Sequence, residues 1–316
     1  MIVITGATGH IGNNFVRLLA QEKIDFRILA RKIDESISSF QNHVRIGDIF
    51  DVQFLKKQCS KNDVFVHLAG TIDYRNDNLE ESILVNDIGT KIIIDFCAEK
   101  NIHLVYSSSV DIIDHVQSNS IISEPKNIQI WKSMTNYQLT KAKATMYLEE
   151  LRSFGKIHAT ILYPTAVIGI HDYKPSAVGA QIFAATKQRM LYGLRGGYDF
   201  IDVEDVAKCI LISCQKKIND CIILGHQKKT VRDLYRNILI ASKHKAWILP
   251  VPRFLASLYC AITHRFTNVM LQALFANPTY DHTKMHKYFP IDYHDIDLTI
   301  QKTTQWLTAH ENEKKR

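Results

Sequence analysis

The first half of the chain alternates short, mainly apolar runs with stretches whose apolar residues recur every third or fourth position. The runs are Ile2-Val3-Ile4, Phe26 to Ala30, Val44-Arg45-Ile46, Val64 to Leu68, Leu104-Val105-Tyr106 and Ala159 to Tyr163. Short, mainly apolar runs of this kind read as strands buried on both faces of a parallel sheet. Helical spacing falls between them. It covers about residues 11–22, with Phe15, Leu18 and Leu19 on one face, then 85–100 and 137–154. Strands alternating with helices predict an α/β fold, a doubly wound parallel sheet covered on both sides. Such sheets take ligands beyond the carboxyl ends of their strands, where the strand order reverses.

After about residue 165 the rhythm changes. Gly and Pro punctuate 164–200, a helix is predicted from Val203 to Gln215 behind Asp202, and 226–316 reads as mostly helical with breaks at Pro250, Pro252, Pro278 and Pro290. The expected division is a sheet domain of 1–165 plus about 200–225, and a smaller, mostly helical lobe of about 166–199 plus 226–316. The polar stretch Gln117 to Lys126 is expected to be a loop.

Composition narrows the function classes. At 316 residues with 46% hydrophobic and 22% charged residues, the chain has the make-up of a globular protein with ample core. Its formal charge of +7 is dispersed apart from the tail Glu313-Lys314-Lys315-Arg316, so nucleic-acid binding is not indicated. The six cysteines (59, 97, 209, 214, 221 and 260) form no C-x-x-C pair, and the first strand starts at residue 1. Both features point to a cytoplasmic protein without a secretory signal. His264-Arg265 divides the apolar stretch Phe254 to Phe275 into halves too short to span a bilayer. An amphipathic helix over a pocket or subunit contact is expected there.

The first strand-to-helix turn carries Gly6, Gly9 and Gly12, three apart, within Thr5-Gly6-Ala7-Thr8-Gly9-His10-Ile11-Gly12. Glycines there permit a tight turn and close backbone approach, and the following helix aims its N-terminus at an anion. Gly6, Thr8, Gly9, His10, Ile11 and Gly12 are therefore candidate contacts for a dinucleotide pyrophosphate. An acidic residue after the second strand would bind a ribose 2′-hydroxyl, whereas arginine accommodates a 2′-phosphate. The chain has Arg31 and Lys32 there, with no carboxylate before Asp34, which favours NADP(H) over NAD(H). Asp48 after the third strand could accept from the adenine amine or cap the next helix, as Asp51 equally could. Leu68, Ala69 and Gly70 end the fourth strand with small residues where backbone can approach a cofactor; His67 is read as structural.

Tyr137 and Lys141 are four apart and share one helix face. A free tyrosine has a pKa of about 10, and a nearby ammonium would favour its phenolate and suit it to acid–base work. Lys141 could also hold the nicotinamide ribose. Ser107, Ser108 and Ser109, directly after the fifth strand, offer hydroxyl donors for a carbonyl oxygen. Tyr280 and Lys284 repeat the spacing without the upstream serines and are read as structural. His282 and His286 lack an evident third ligand, so no metal site is expected.

Together these segments resemble the extended short-chain dehydrogenase/reductases, within the NAD-dependent epimerase/dehydratase superfamily. The resemblance rests on Thr5 to Gly12, Gly47-Asp48-Ile49, His67 to Gly70, Val85 to Thr90, Ser107 to Ser109, Tyr137 to Lys141 and Tyr163 to Gly169. Tyr173 to Ser176 and Gly196 to Ala207 are most similar to the dihydroflavonol-4-reductase-like branch, near the 3β-hydroxysteroid dehydrogenases. The match covers about residues 1–225 and fades towards Trp306. It implies a Rossmann-type nucleotide domain with a substrate-binding lobe, and a catalytic group of Ser109, Tyr137 and Lys141. It also implies that Asp48 and Ile49 flank the adenine, and that Tyr163, Pro164, Thr165 and Val167 border the nicotinamide. Two departures stand out. Val110-Asp111-Ile112-Ile113 replaces the tyrosine-glycine pair common after the serines, and the Asp-Glu pair of sugar-nucleotide dehydratases is absent.

The expected function is NADP(H)-dependent reduction of a ketone or aldehyde, or oxidation of the alcohol, on a small molecule. A sugar-nucleotide epimerase that retains its cofactor and a non-catalytic NADP(H)-sensing protein are the alternatives. Trp247, Phe254, Leu255, Tyr259, Phe266 and Phe275 could line an apolar pocket or form core.

Overall fold

The computed structural model describes every residue except 115–120, 195, 253, 255–273, 276–277 and 315–316. Nearly all of the helix expected over 254–275, the start of the 117–126 loop, and Leu255, Tyr259 and Phe266 therefore lie outside the described residues.

The six apolar runs become six of seven parallel strands, β1 (Ile2–Thr5), β2 (Phe26–Ala30), β3 (Val44–Ile46), β4 (Val64–His67), β5 (His103–Ser107) and β7 (Ala159–Pro164); the seventh, β11 (Cys221–Leu224), was not expected from the sequence. Their order across the sheet is β11-β7-β5-β4-β1-β2-β3. Alternate residues feed two cores. Ile4, Val66, Val105, Leu162 and Ile222 pack with Phe15 and Leu19 of α1 (His10–Gln21) and Val206 and Ile210 of α7 (Val203–Lys216). Val3, Phe65, Leu104, Ile161 and Ile223 pack with Ile93 and Phe96 of α4 (Thr90–Lys100) and Leu148 of α5 (Asn136–Ser153). Phe15 is fully buried, so truncation to alanine would cost roughly 3–5 kcal/mol. The strand order reverses between β1 and β4, which brings the Gly6 turn beside Leu68 to Gly70.

Local capping sets several helix starts where the pattern places them. Thr135 and Gln138 form a reciprocal capping box ahead of α5, and Asp202 caps α7 through the Glu204 N–H. The helix read over 85–100 starts earlier. Asn78 caps α3 (Leu79–Ser82), and a π-helical turn, Ile83–Gly89, joins it to α4.

The remainder contains more strand than its sequence suggests. β8 (Ala166–Ile168), β10 (Gly197–Asp202) and β12 (Gln227–Thr230) form one small sheet. β9 (Met190–Leu194) pairs with β13 (Trp247–Val251), and β6 (Ile121–Ile122) with β14 (Thr279–Tyr280). The Gln-Lys-Lys-Thr of β12 has no strand-like alternation; its backbone pairing with Tyr198 and Asp199 makes it one. Around these strands lie α2 (Val52–Gln58), α6 (Ala177–Ala185), α8 (Val231–Ser242), α9 (Thr283–Tyr288) and α10 (Ile296–Lys314). Ile182, Leu191, Leu234, Ile238, Ile296 and Ile300 form a third core among them. No helix among the described residues is long and apolar enough to cross a membrane.

Candidate active site

The turn after β1 has the shape that a nucleotide phosphate requires. Gly6 sits at φ +78, and a Cβ there would overlap the Leu68–Ala69 backbone. A Cβ on Gly12 would overlap the Gly6 carbonyl. Gly9 is the N-cap residue of α1 and offers no side-chain cap, leaving the helix-end N–H groups of the turn for an anion. Beneath the turn, buried His67 links Thr5 Oγ1 (2.7 Å) to Thr90 Oγ1 (3.1 Å). Burial, then the Lys141 charge, pushes the imidazole down to about 3, so it stays neutral and structural. His10 is turned away, with Nε2 3.1 Å from the Ile170 carbonyl.

Arg31 and Lys32 stand exposed beyond β2. Asp34 is otherwise engaged: its carboxylate accepts from the Ser36 N–H at 3.1 Å and pairs with Lys174 at 2.7 Å. Burial pushes that carboxyl up, but Lys174 and Ser36 together hold it below its ordinary value. Asp51, not Asp48, caps α2, accepting from the Gln53 and Phe54 N–H groups. Asp48 is exposed and accepts only locally, from Phe50, while Ile49 packs beside Gly89.

The three serines separate by partner. Ser107 gives its carbonyl to Lys141 Nζ at 2.9 Å, and Ser108 Oγ pairs with Thr145 Oγ1 at 2.8 Å. Ser109 Oγ lies beside the Tyr137 phenol, close enough to favour its ionised form, and accepts from the Asp111 N–H at 3.1 Å. Helix α5 thus brings Tyr137 to Ser109, and one turn later it brings Lys141 to the end of β5. A Cβ on Gly70 would lie 3.4 Å from Lys141 Nζ, so the amine sits beside the cofactor-side end of β4.

The electrostatics differ from the simple picture of an ammonium acidifying a phenol. Burial pushes Tyr137 up, the Asp111 carboxylate pushes it further, and the Ser109 hydroxyl draws it back only in part. Burial also draws Lys141 down to about 8. The physical reason is direction: the ammonium bonds the Ser107 carbonyl and lies 4.8 Å from the centre of the Tyr106 ring.

Three neighbours had no role assigned to them from the sequence. Tyr74 packs edge-on against Tyr137, with ring centres 5.2 Å apart, and donates its hydroxyl to Asp111. Asn86 clamps the strand end, accepting from the Thr71 N–H at 2.9 Å and donating to the Thr71 carbonyl at 2.8 Å. Asn86 lies in the Val85 to Thr90 segment that carries the family resemblance, and Asp111 is the charged residue in place of the usual pair after the serines; Tyr74 had no sequence signal.

Pro164, Thr165 and Val167 lie where β7 passes into β8, and Thr165 Oγ1 is 3.3 Å from Asp199 Oδ1. The Tyr163 side chain is buried in the sheet core, so only its backbone can border a ligand. The second Tyr-x-x-x-Lys is split: Tyr280 is on β14, while Lys284 is on α9 and pairs with Asp220 at 2.7 Å. His282 faces Asp199 at 3.1 Å, and its ring centre is 6.4 Å from that of His286. Trp247 and Phe254 are exposed rather than lining a core.

Residues 2–224 match the NAD dependent epimerase/dehydratase family. The sterol demethylase protein B of Methylococcus capsulatus is 26% identical over 221 residues, which are 68% of this chain and 66% of that protein. Among solved structures, gox2253 superposes with a TM-score of 0.82 at 20% identity over 98% of each chain. The UDP-glucose-4-epimerase of Stenotrophomonas maltophila, with bound NAD, gives 0.80 at 17% identity over 99% of each chain. With the glycine turn, the reversal of strand order and the length of the family match all in agreement, the chain belongs to the NAD dependent epimerase/dehydratase family, the extended short-chain dehydrogenase/reductase superfamily.

Proposed function

We propose that the protein is an NADP(H)-dependent oxidoreductase that reduces a ketone or aldehyde, or oxidises the corresponding alcohol. The observation that carries this reading is the placement of the Ser109 hydroxyl beside the Tyr137 phenol, one helical turn from Lys141 beside Gly70. The nucleotide would lie over Gly6, Thr8, Gly9 and Gly12 and run past Leu68 to Gly70 towards Pro164, Thr165 and Val167. When bound, its nicotinamide supplies or accepts the hydride. Ser109 then holds the carbonyl oxygen, and Tyr137 gives it a proton. A phenol kept protonated by burial and by Asp111 suits the donor role at neutral pH. Lys141 remains largely charged below about 8 and would hold ribose hydroxyls from its buried position.

Exposed Arg31 and Lys32, together with an Asp34 already occupied by Lys174, support a 2′-phosphate over a free 2′-hydroxyl. On this reading 1–165 with about 200–225 binds the nucleotide, and 166–199 with 226–316 covers the substrate. The name of the Methylococcus capsulatus relative makes apolar cyclic ketones the first substrates to try.

The test is a panel of aldehydes and ketones, sterol ketones among them, with NADPH and NADH, followed at the nicotinamide absorbance. NADPH oxidation that Tyr137→Phe abolishes supports the proposal. Tightly retained nucleotide with interconversion of UDP-sugars, or nucleotide binding without turnover on any carbonyl, overturns it in favour of an epimerase or a sensor.

A further inference from the structure

We propose that the outer face of the β9–β13 sheet docks onto an anionic phospholipid bilayer. The two strands run parallel, with Met190 opposite Trp247 and Tyr192 opposite Leu249. The intervening residues Leu191 and Ile248 turn inward onto the core that α6, α8 and α10 share. A sheet with one face on a core ordinarily turns polar side chains to water. This one turns out Met190 (52% exposed), Tyr192 (54%), Trp247 (76%) and Leu249 (40%), and Phe254, just past β13, is 69% exposed. Both faces of the sheet are apolar, and an apolar patch gathered in this way marks an interaction surface.

Charge identifies the occupant. Because the strands are parallel, their N-terminal ends share one edge, and cations collect there. Lys187 and Arg189 precede β9, Lys243 and Lys245 precede β13, and all four are exposed. The two approaches are tied together: the Trp247 N–H donates to the Arg189 carbonyl at 3.0 Å, and His244 Nε2 lies 2.9 Å from the Gln188 carbonyl. No Asp or Glu occurs in 187–194 or 243–254. Aromatic and aliphatic side chains beside a cationic edge match a bilayer interface, with rings at headgroup level and Lys or Arg on lipid phosphates. A second copy of the chain would bring the same cationic edge and, from these strands, no acid to neutralise it. An anionic lipid surface supplies the missing charge along the whole edge.

None of the described partners of Ser109, Tyr137 and Lys141 belongs to β9 or β13, and the test reads binding rather than turnover. The full chain is sedimented with vesicles of mixed phosphatidylcholine and phosphatidylglycerol, and with phosphatidylcholine alone. The expected result is co-sedimentation with the anionic vesicles, weakened by added salt and nearly absent with the neutral ones. Trp247→Ser combined with Tyr192→Ser should remove most of the bound fraction. Should that variant fail to fold, Arg189→Glu with Lys245→Glu decides, lowering the partition on the order of tenfold or more. Equal binding to both vesicle types, no binding to either, or unchanged binding of the charge-reversed variant overturns the proposal. So does a dimer in solution that Trp247→Ser abolishes while vesicles bind nothing, since that makes the patch a contact between copies.

Discussion

Replacing Lys141 with methionine should separate what the site needs from what the fold prefers. Burial lowers this ammonium from 10.5 to about 8. At about 1.4 kcal/mol per pKa unit, the charged form therefore costs the folded state roughly 3 kcal/mol at neutral pH. Methionine keeps an unbranched apolar stem in the same space but loses the 2.9 Å charge-assisted hydrogen bond to the Ser107 carbonyl, worth about 1.5–3 kcal/mol. The variant should be more stable than the parent by roughly 0–1.5 kcal/mol at pH 7 and, on the proposed mechanism, catalytically dead. The pH dependence identifies the cause. Below about 8 both folded and unfolded lysine are charged, and the full penalty applies. Between about 8 and 10.5 the unfolded chain binds more protons, so the parent gains stability as pH rises and the variant's advantage shrinks. Urea unfolding of both proteins, followed by circular dichroism at pH 7 and again near pH 10, measures the difference. A variant less stable than the parent at pH 7, or a gap that does not change with pH, would refute the account of a buried, penalised ammonium.

Three further outcomes follow from the same geometry. Tyr137→Phe removes the proposed proton donor but leaves the glycine turn intact, so kcat should fall about 100- to 10,000-fold while nucleotide titration by fluorescence is unchanged. Arg31→Ala with Lys32→Ala should raise the KM for NADPH on the order of tenfold and leave that for NADH nearly unaltered; equal effects on both would remove the 2′-phosphate assignment. Gly12→Ala places a methyl against the Gly6 carbonyl, so calorimetry should show weakened nucleotide binding and a stability loss of about 1–3 kcal/mol.

Elements whose signals are local were legible from one sequence. The Asp202 cap and the apolar runs of the sheet act through neighbours a few residues away, and their patterns survive in the linear chain. The second half was harder to read because its strands borrow their order from distant partners. Gln227–Thr230 is a strand only because β10 lies alongside it. The same holds within the site. Tyr74 reaches Asp111 across 37 positions, and Asn86 bonds Thr140 across 54. Neither contact leaves a periodicity to detect.

The amino-acid order by itself therefore determined the sheet, the glycine turn and the helix face that carries Tyr137 and Lys141, since each follows from short-range sterics and hydrophobic spacing. Only the folded chain decided that Lys141 turns to the Ser107 carbonyl, and that burial and Asp111 hold Tyr137 protonated. Those outcomes depend on burial and on charges placed by distant segments, and neither is defined until the tertiary contacts have formed.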